Sequence, residues 1–216
     1  MNGLVASTLA HLGRVWHGAQ VEPTAVRGGG IRAKGSNFVG FREAIRTVFG
    51  EDTWQRVLDA AGDEGRELFR DGRLKAGSWY PVAPYRALHT AAAETLPTEP
   101  DLARRIGHAA MTSDLSGIYR VLCYFLSPHS LIARAAPIFG TYWEGAQLTI
   151  QRISRSHARV DLAGCEGFDQ RIWSDIFGGI TASLELSGAL DVVVDVLDGC
   201  GEDSFCRIDV SWQNPG

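Results

Sequence analysis

The spacing of apolar residues changes period near residue 145. Before it they step by three and four. Phe38, Phe41, Ile45 and Val48 trace one helical stripe, and Trp54, Val57, Leu58 and Ala61 trace a second. Gly50 between them is a natural C-terminal stop, with Asp52 or Thr53 placed to cap the second helix. Further helices are predicted over 1–17, 64–70 and 83–95, the last introduced by Trp79, Tyr80 and Pro81. Thr98 and Pro100 open another through Leu102, Ile106 and Ala110, and Leu115, Ile118, Tyr119, Leu122 and Phe125 make the most apolar one. Ser127 and Pro128 start one more, which Pro137 keeps short. The glycines of Arg27–Ser36 read as a mobile loop.

After residue 145 the period falls to two. Ala146, Leu148 and Ile150 alternate with polar residues, as do Ala158, Val160 and Leu162, and the polar turn Ser154–Ser156 joins them as a hairpin. Phe168, Ile172, Ile176, Ile180 and Leu184 then step by four along a long helix. Leu190, Val192, Val194 and Val196 give a third strand, and Ile208, Val210 and Trp212 a fourth, with Arg207, Asp209 and Ser211 facing water. The fold class is therefore α+β: an N-terminal helical subdomain (1–145) on a four-stranded antiparallel sheet of hairpin-helix-hairpin order (146–216), read as one domain over 1–216.

Composition narrows the function. A net charge of −4 gives no electrostatic reason to expect nucleic acid or an anionic membrane as partner. The first residues lack the basic-then-apolar plan of a signal peptide, and no stretch offers the ~20 apolar residues of a spanning helix, so a cytoplasmic, soluble protein is predicted. Four cysteines are too few for a disulfide scaffold, and reduced thiols are predicted. Lys34-Gly35-Ser36 inverts the order of a phosphate-binding loop and no strand is predicted before it. No nucleophile elbow, zinc-protease helix or Cys-x-x-Cys pair is present, and the chain reads as a non-enzyme.

Three groups of residues can carry binding chemistry. His129, at a helix start, can ligate iron as neutral imidazole or pack as an ordinary first-turn histidine. Cys200 and Cys206 flank the last hairpin loop beside Asp195 and Asp198, with Cys165 before the long helix; thiolates and carboxylates of this kind hold zinc. Tyr119, Tyr142 and Trp143, near the helix-to-sheet junction, are predicted pocket walls.

The order of elements resembles the ligand-binding superfamily of heme nitric oxide/oxygen sensors, vinyl-reductase-type sensor domains and Golgi-transport subunits. KGSNFVGFREAIRTVFGEDTWQRVLDAAG resembles the opening of the heme sensors, DLARRIGHAAM a later helix, LTIQRISRS the first strand of their sheet and LDGCGEDSFCRIDVSW their final hairpin. A myxobacterial family with SWYP, RRIG and a terminal cysteine hairpin is closer still. The resemblance implies a sensor or adaptor that binds a small-molecule ligand and signals to a downstream protein, with a homodimer among its assemblies. It implies heme on His129, with Arg152, Ser154 and Ser156 at the positions where the heme sensors hold propionates with Tyr-x-Ser-x-Arg. From the vinyl-reductase-type sensors it implies zinc on Cys165 and Cys206, with Asp195 and either Asp198 or Cys200 completing the set. From the Golgi-transport subunits it implies an interaction subunit with no ligand.

Overall fold

A computed structural model describes residues 30–114 and 126–214. The predicted helices over 1–17 and 115–125, with Tyr119 and Cys123, lie outside the described residues. Strand β1 (Arg32–Lys34) leads into α1 (Gly35–Phe49), α2 (Glu51–Ala60) and α3 (Gly62–Phe69). Strand β2 (Trp79–Pro81), α4 (Ala83–Thr95) and α5 (Leu102–Asp114) come next. Two short helices, α6 (Pro128–Ile132) and α7 (Ala135–Phe139), precede β3 (Trp143–Glu144). The back part runs β4 (Gln147–Ser154), β5 (His157–Ala163), α8 (Gln170–Leu186), β6 (Leu190–Gly199) and β7 (Cys206–Gln213).

The larger sheet has the order β4-β5-β7-β6, antiparallel throughout. Ala158, Val160 and Leu162 of β5 and Ile208, Val210 and Trp212 of β7 are buried in one continuous core with Phe168, Ile172 and Leu184 around α8. The alternation predicted for β6 is broken. Its pairing with β7 shifts register between Leu190 and Val193 and again between Val196 and Asp198. Only Val194 and the adjoining Cys200 are buried there, because β6 is an edge strand and its bulges turn successive side chains off the core face.

A second, three-stranded sheet, β2-β1-β3, goes beyond the elements the spacing predicts. The stretch expected to be a loop from Arg27 to Ser36 contains β1 and the first residues of α1. Ile31 and Ala33 are buried and Arg32 is exposed, an alternation too short to stand out among glycines. Tertiary pairing to Trp79–Pro81 and Trp143–Glu144 holds it extended.

Helix ends follow local chemistry. Asp169, almost fully buried, accepts hydrogen bonds from the backbone N–H of Arg171 and Ile172 and so caps α8. Ser127 caps α6 through the Ser130 N–H at 3.3 Å. Neither Asp52 nor Thr53 caps α2; Gly50 occupies that position and the Thr53 hydroxyl donates back to the Phe49 carbonyl.

α5 and α8 cross in backbone contact. A Cβ on Gly107 would lie 1.9 Å from the Asp175 carbonyl oxygen, and one on Gly178 would lie 2.0 Å from the Arg104 carbonyl oxygen. Only glycine permits this approach, and the two meet reciprocally. Among the described residues no helix is long and apolar enough to cross a membrane.

Candidate functional site

The close crossing leaves space beside it. A cavity of about 160 Å³ lies between the helical part and α8. Gly40 of α1 and Ala110 and Met111 of α5 form one wall, and Ile138 and Phe139 of α7 form another. Leu148 of β4 and Ile176, Ile180 and Ser183 of α8 close it from the sheet side. Both periods of the sequence therefore contribute to one pocket.

Tyr142 and Trp143 line it, as does Leu131 of α6. Trp143 is buried in a chain of edge-to-face rings: Phe38 to Tyr85 at 5.2 Å, Tyr85 to Trp143 at 5.6 Å, Trp143 to Phe168 at 4.7 Å and Phe168 to Trp173 at 4.8 Å. The chain ties α1 and α4 to α8 through the β3 strand. The Tyr142 carbonyl accepts from the Asn37 side chain at 3.1 Å and from the Lys34 N–H at 2.9 Å, which fixes the pocket corner.

One carboxyl interrupts this apolar wall. Asp175 lies in the second turn of α8 and is 7% exposed. Its Oδ2 accepts from the Tyr85 hydroxyl at 3.0 Å. Its Oδ1 has no hydrogen-bond partner, the His89 Nε2 standing 3.7 Å away. His89 is also buried, with both ring nitrogens unpartnered, packed edge-on to Phe41 at 4.8 Å. The nearby Trp173 Nε1 is unpartnered too. Burial disfavours the charged forms, so Asp175 is pushed up to about 7 and His89 down to about 3. Burial first, then the Asp175 carboxyl, raises Tyr85 well above the usual phenol range. His89 also faces a second, polar cleft of about 320 Å³ lined by Arg171, Ser174 and Glu202.

Asp175, Tyr85 and His89 are absent from the residues that sequence reasoning singles out. The signal was present: Asp175 falls between Ile172 and Ile176 on the buried stripe, and Tyr85 and His89 are four apart on the buried side of α4. A titratable residue on an apolar helical face is the pattern that finds such groups.

The predicted ligand sets fare differently. His129 is not among the described residues lining the cavity. Its Nε2 is 2.5 Å from an Arg152 guanidinium nitrogen, while its Nδ1 is buried without a partner. The residues present do not fit a heme. Drug-sized ligands occupy pockets of ~300–1,000 Å³, and the tetrapyrrole is at least that large, against about 160 Å³ here. The histidine nitrogen that would meet iron is turned to a cation, and Ser154 is exposed.

The zinc set is not assembled as implied. Cys200 and Cys206 form a disulfide, which corrects the expectation of four reduced thiols and occupies two of the expected sulfur ligands with each other. Two facing cysteines across the β6–β7 pair, Gly199 being the register partner of Cys206, bring the sulfurs within bonding reach. Cys165 is a buried free thiol, pushed up to about 12 by burial. Asp195 and Asp198 are exposed on β6. Among the described residues no group of three or more His, Cys, Asp or Glu side chains could hold a metal ion.

A helical cap and an antiparallel sheet with an apolar pocket among the described residues between them define the class, a pocketed α+β fold. Among solved structures it is the fold of H-NOX domains. An oxygen-binding H-NOX domain related to soluble guanylate cyclases superposes with a TM-score of 0.63 at 13% identity, covering 84% of this chain and 96% of that one. An Fe(II) unliganded H-NOX variant from K. algicida gives 0.62 at 12% identity, covering 84% and 97%. A variant from T. tengcongensis gives 0.62 at 13%, covering 84% and 98%. No protein-family model and no curated protein matches the sequence.

Proposed function

We propose that residues 1–216 form a single non-catalytic sensor or adaptor domain of the cytoplasm that binds a small molecule in the α1–α5–α7–α8 cavity and signals to a downstream protein. The observation that carries this reading is the cavity itself. The pocket is open to solvent and its walls are mostly apolar, so a ligand that covers them gains roughly 25 cal/mol for each Å² of apolar surface it removes from water. Because the walls come from both the helical part and α8 with β4, occupancy favours one packing of the two over another, and a partner protein reads the shifted population. The H-NOX neighbours support the reading by fold alone.

Native mass spectrometry of the full chain tests it. A small-molecule adduct is expected, and Ala135→Phe, which fills the cavity wall, should remove it. No adduct, together with no shift in melting temperature across a fragment library, overturns the reading and favours a packed interaction subunit. Hemin added to the purified chain should give no shifted Soret band; a stable one that is lost in His129→Ala would replace this ligand with heme.

A further inference from the structure

We propose that the free edge of β6 receives an extended, basic and apolar segment of a partner protein, which pairs with it as an added strand. This gives a place to the downstream protein of the reading above and rests on that reading for the partner's existence. Exposed apolar side chains, an open strand edge and unanswered acidic charge lead to it.

Of the seven large apolar side chains exposed among the described residues, four stand on this one strand: Leu190, Val193, Val196 and Leu197, each 46–54% exposed. β6 runs for ten residues, and among the described residues no strand lies beyond it. Alternate residues of such an edge turn their backbone N–H and C=O outward, a template for another chain. Between its two register shifts, Val193–Val196 pairs without a break with Ser211, Val210, Asp209 and Ile208, so an added strand has a regular stretch to follow.

The bulges and three aspartates guard this edge against indiscriminate pairing, and the acids also define which strand it admits. Residues 190–206 carry five acids and no lysine, arginine or histidine. Asp195 has Asp209 as its register partner, and Arg159 already holds that carboxyl at 2.8 Å. Asp198 is level with Arg207, whose Nε turns to Asp161 at 2.5 Å. The sheet side thus leaves both acids unanswered, and a cation can reach them from the open edge. A second copy docked through its own β6 would set acids beside acids and bring no cation. The opposite edge of a second copy is already engaged, since α7 packs against β4 and Arg152 meets His129.

Fluorescence anisotropy of the full chain with short labelled peptides tests this. A peptide alternating valine with lysine should bind about tenfold or more tightly than its valine–glutamate counterpart. Methylating its backbone amides keeps the charge, blocks strand pairing and should abolish binding. Asp195→Lys combined with Asp198→Lys should reverse the preference between the two peptides. Val196→Lys, at an exposed position, should weaken the lysine peptide without moving the melting temperature. Equal binding of both peptides, or binding that survives amide methylation, overturns the inference. So does self-association in sedimentation velocity that Val196→Lys removes, which gives the edge to a second copy. Native mass spectra of the same sample separate the two readings. A small-molecule adduct without peptide binding removes the edge alone; peptide binding without an adduct supports the edge and overturns the pocket reading.

Discussion

The outer face of the four-stranded sheet and the buried seam between α4 and α8 treat charge in opposite ways. On the central strands β5 and β7 the ionic groups are paired. Arg159 grips Asp209 with two hydrogen bonds of 2.8 and 3.0 Å, His157 adds a contact at 3.2 Å, and Arg207 meets Asp161 at 2.5 Å. The Arg159 hydrogen bond holds the Asp209 carboxyl below its ordinary range. In the seam the polar atoms are buried and several are unpaired: both nitrogens of His89, the Trp173 indole N–H and Asp175 Oδ1. Pairing in water contributes little, while an unpaired group in a dry interior is costly. The contrast teaches where to look for function: pairing is complete where it matters least for stability and incomplete where it matters most, in the buried seam.

The largest effect should come from prying the seam apart. Gly107→Val drives a side chain into the Asp175 backbone and should destabilise the fold by about 3 kcal/mol or more in urea denaturation. A mild result would mean the helices are free to separate and the seam is not fixed at all.

Next is the dependence on pH. Asp175 is raised in the folded state, so its contribution is present below the ordinary carboxyl range and is lost as pH rises through about 7. His89 is depressed, so its contribution holds above the ordinary imidazole range and is lost as pH falls towards 3. Asp175→Asn should therefore gain stability relative to wild type on going from pH 4 to pH 8, by on the order of 3 kcal/mol. His89→Gln should instead flatten the acid limb. Parallel curves for both variants would show that the seam is wetter than its burial indicates.

Removing an orphan polar atom sharpens the same contrast. Trp173→Phe keeps a ring against Phe168 and deletes the unpartnered N–H, so it should cost far less than a core truncation, within about 1 kcal/mol of wild type. The smallest effect belongs to the sheet face, where Arg159→Ala should leave the denaturation midpoint within error.

Much of the frame is legible in the sequence because burial imposes a period. The α1 stripe of Phe38, Phe41 and Ile45 and the α8 stripe from Phe168 to Leu184 each bury a face, and the β5 and β7 alternations do the same. What is not legible depends on neighbours distant in sequence. β1 is extended only because strands far along the chain pair with it on both sides. β6 loses its alternation through bulges and an edge position that no local pattern encodes. Tyr142 and Trp143 can be picked out because aromatics crowd the junction, whereas Asp175 is one acid among many until its burial is known. Cys200 and Cys206 look like metal ligands because spacing alone does not distinguish a thiolate pair from a bonded one.

The glycine contact between α5 and α8 has a mechanical consequence. With no side-chain layer between them, the two backbones touch, and the contact itself fixes how far apart the helices stand. Gly179, Ile180 and Ser183 line the pocket within two turns of that contact, on the part of α8 leading to β6. The spacing of two pocket walls, Gly107, Ala110 and Met111 on α5 and Gly179, Ile180 and Ser183 on α8, is thereby set by two residues that have no side chain.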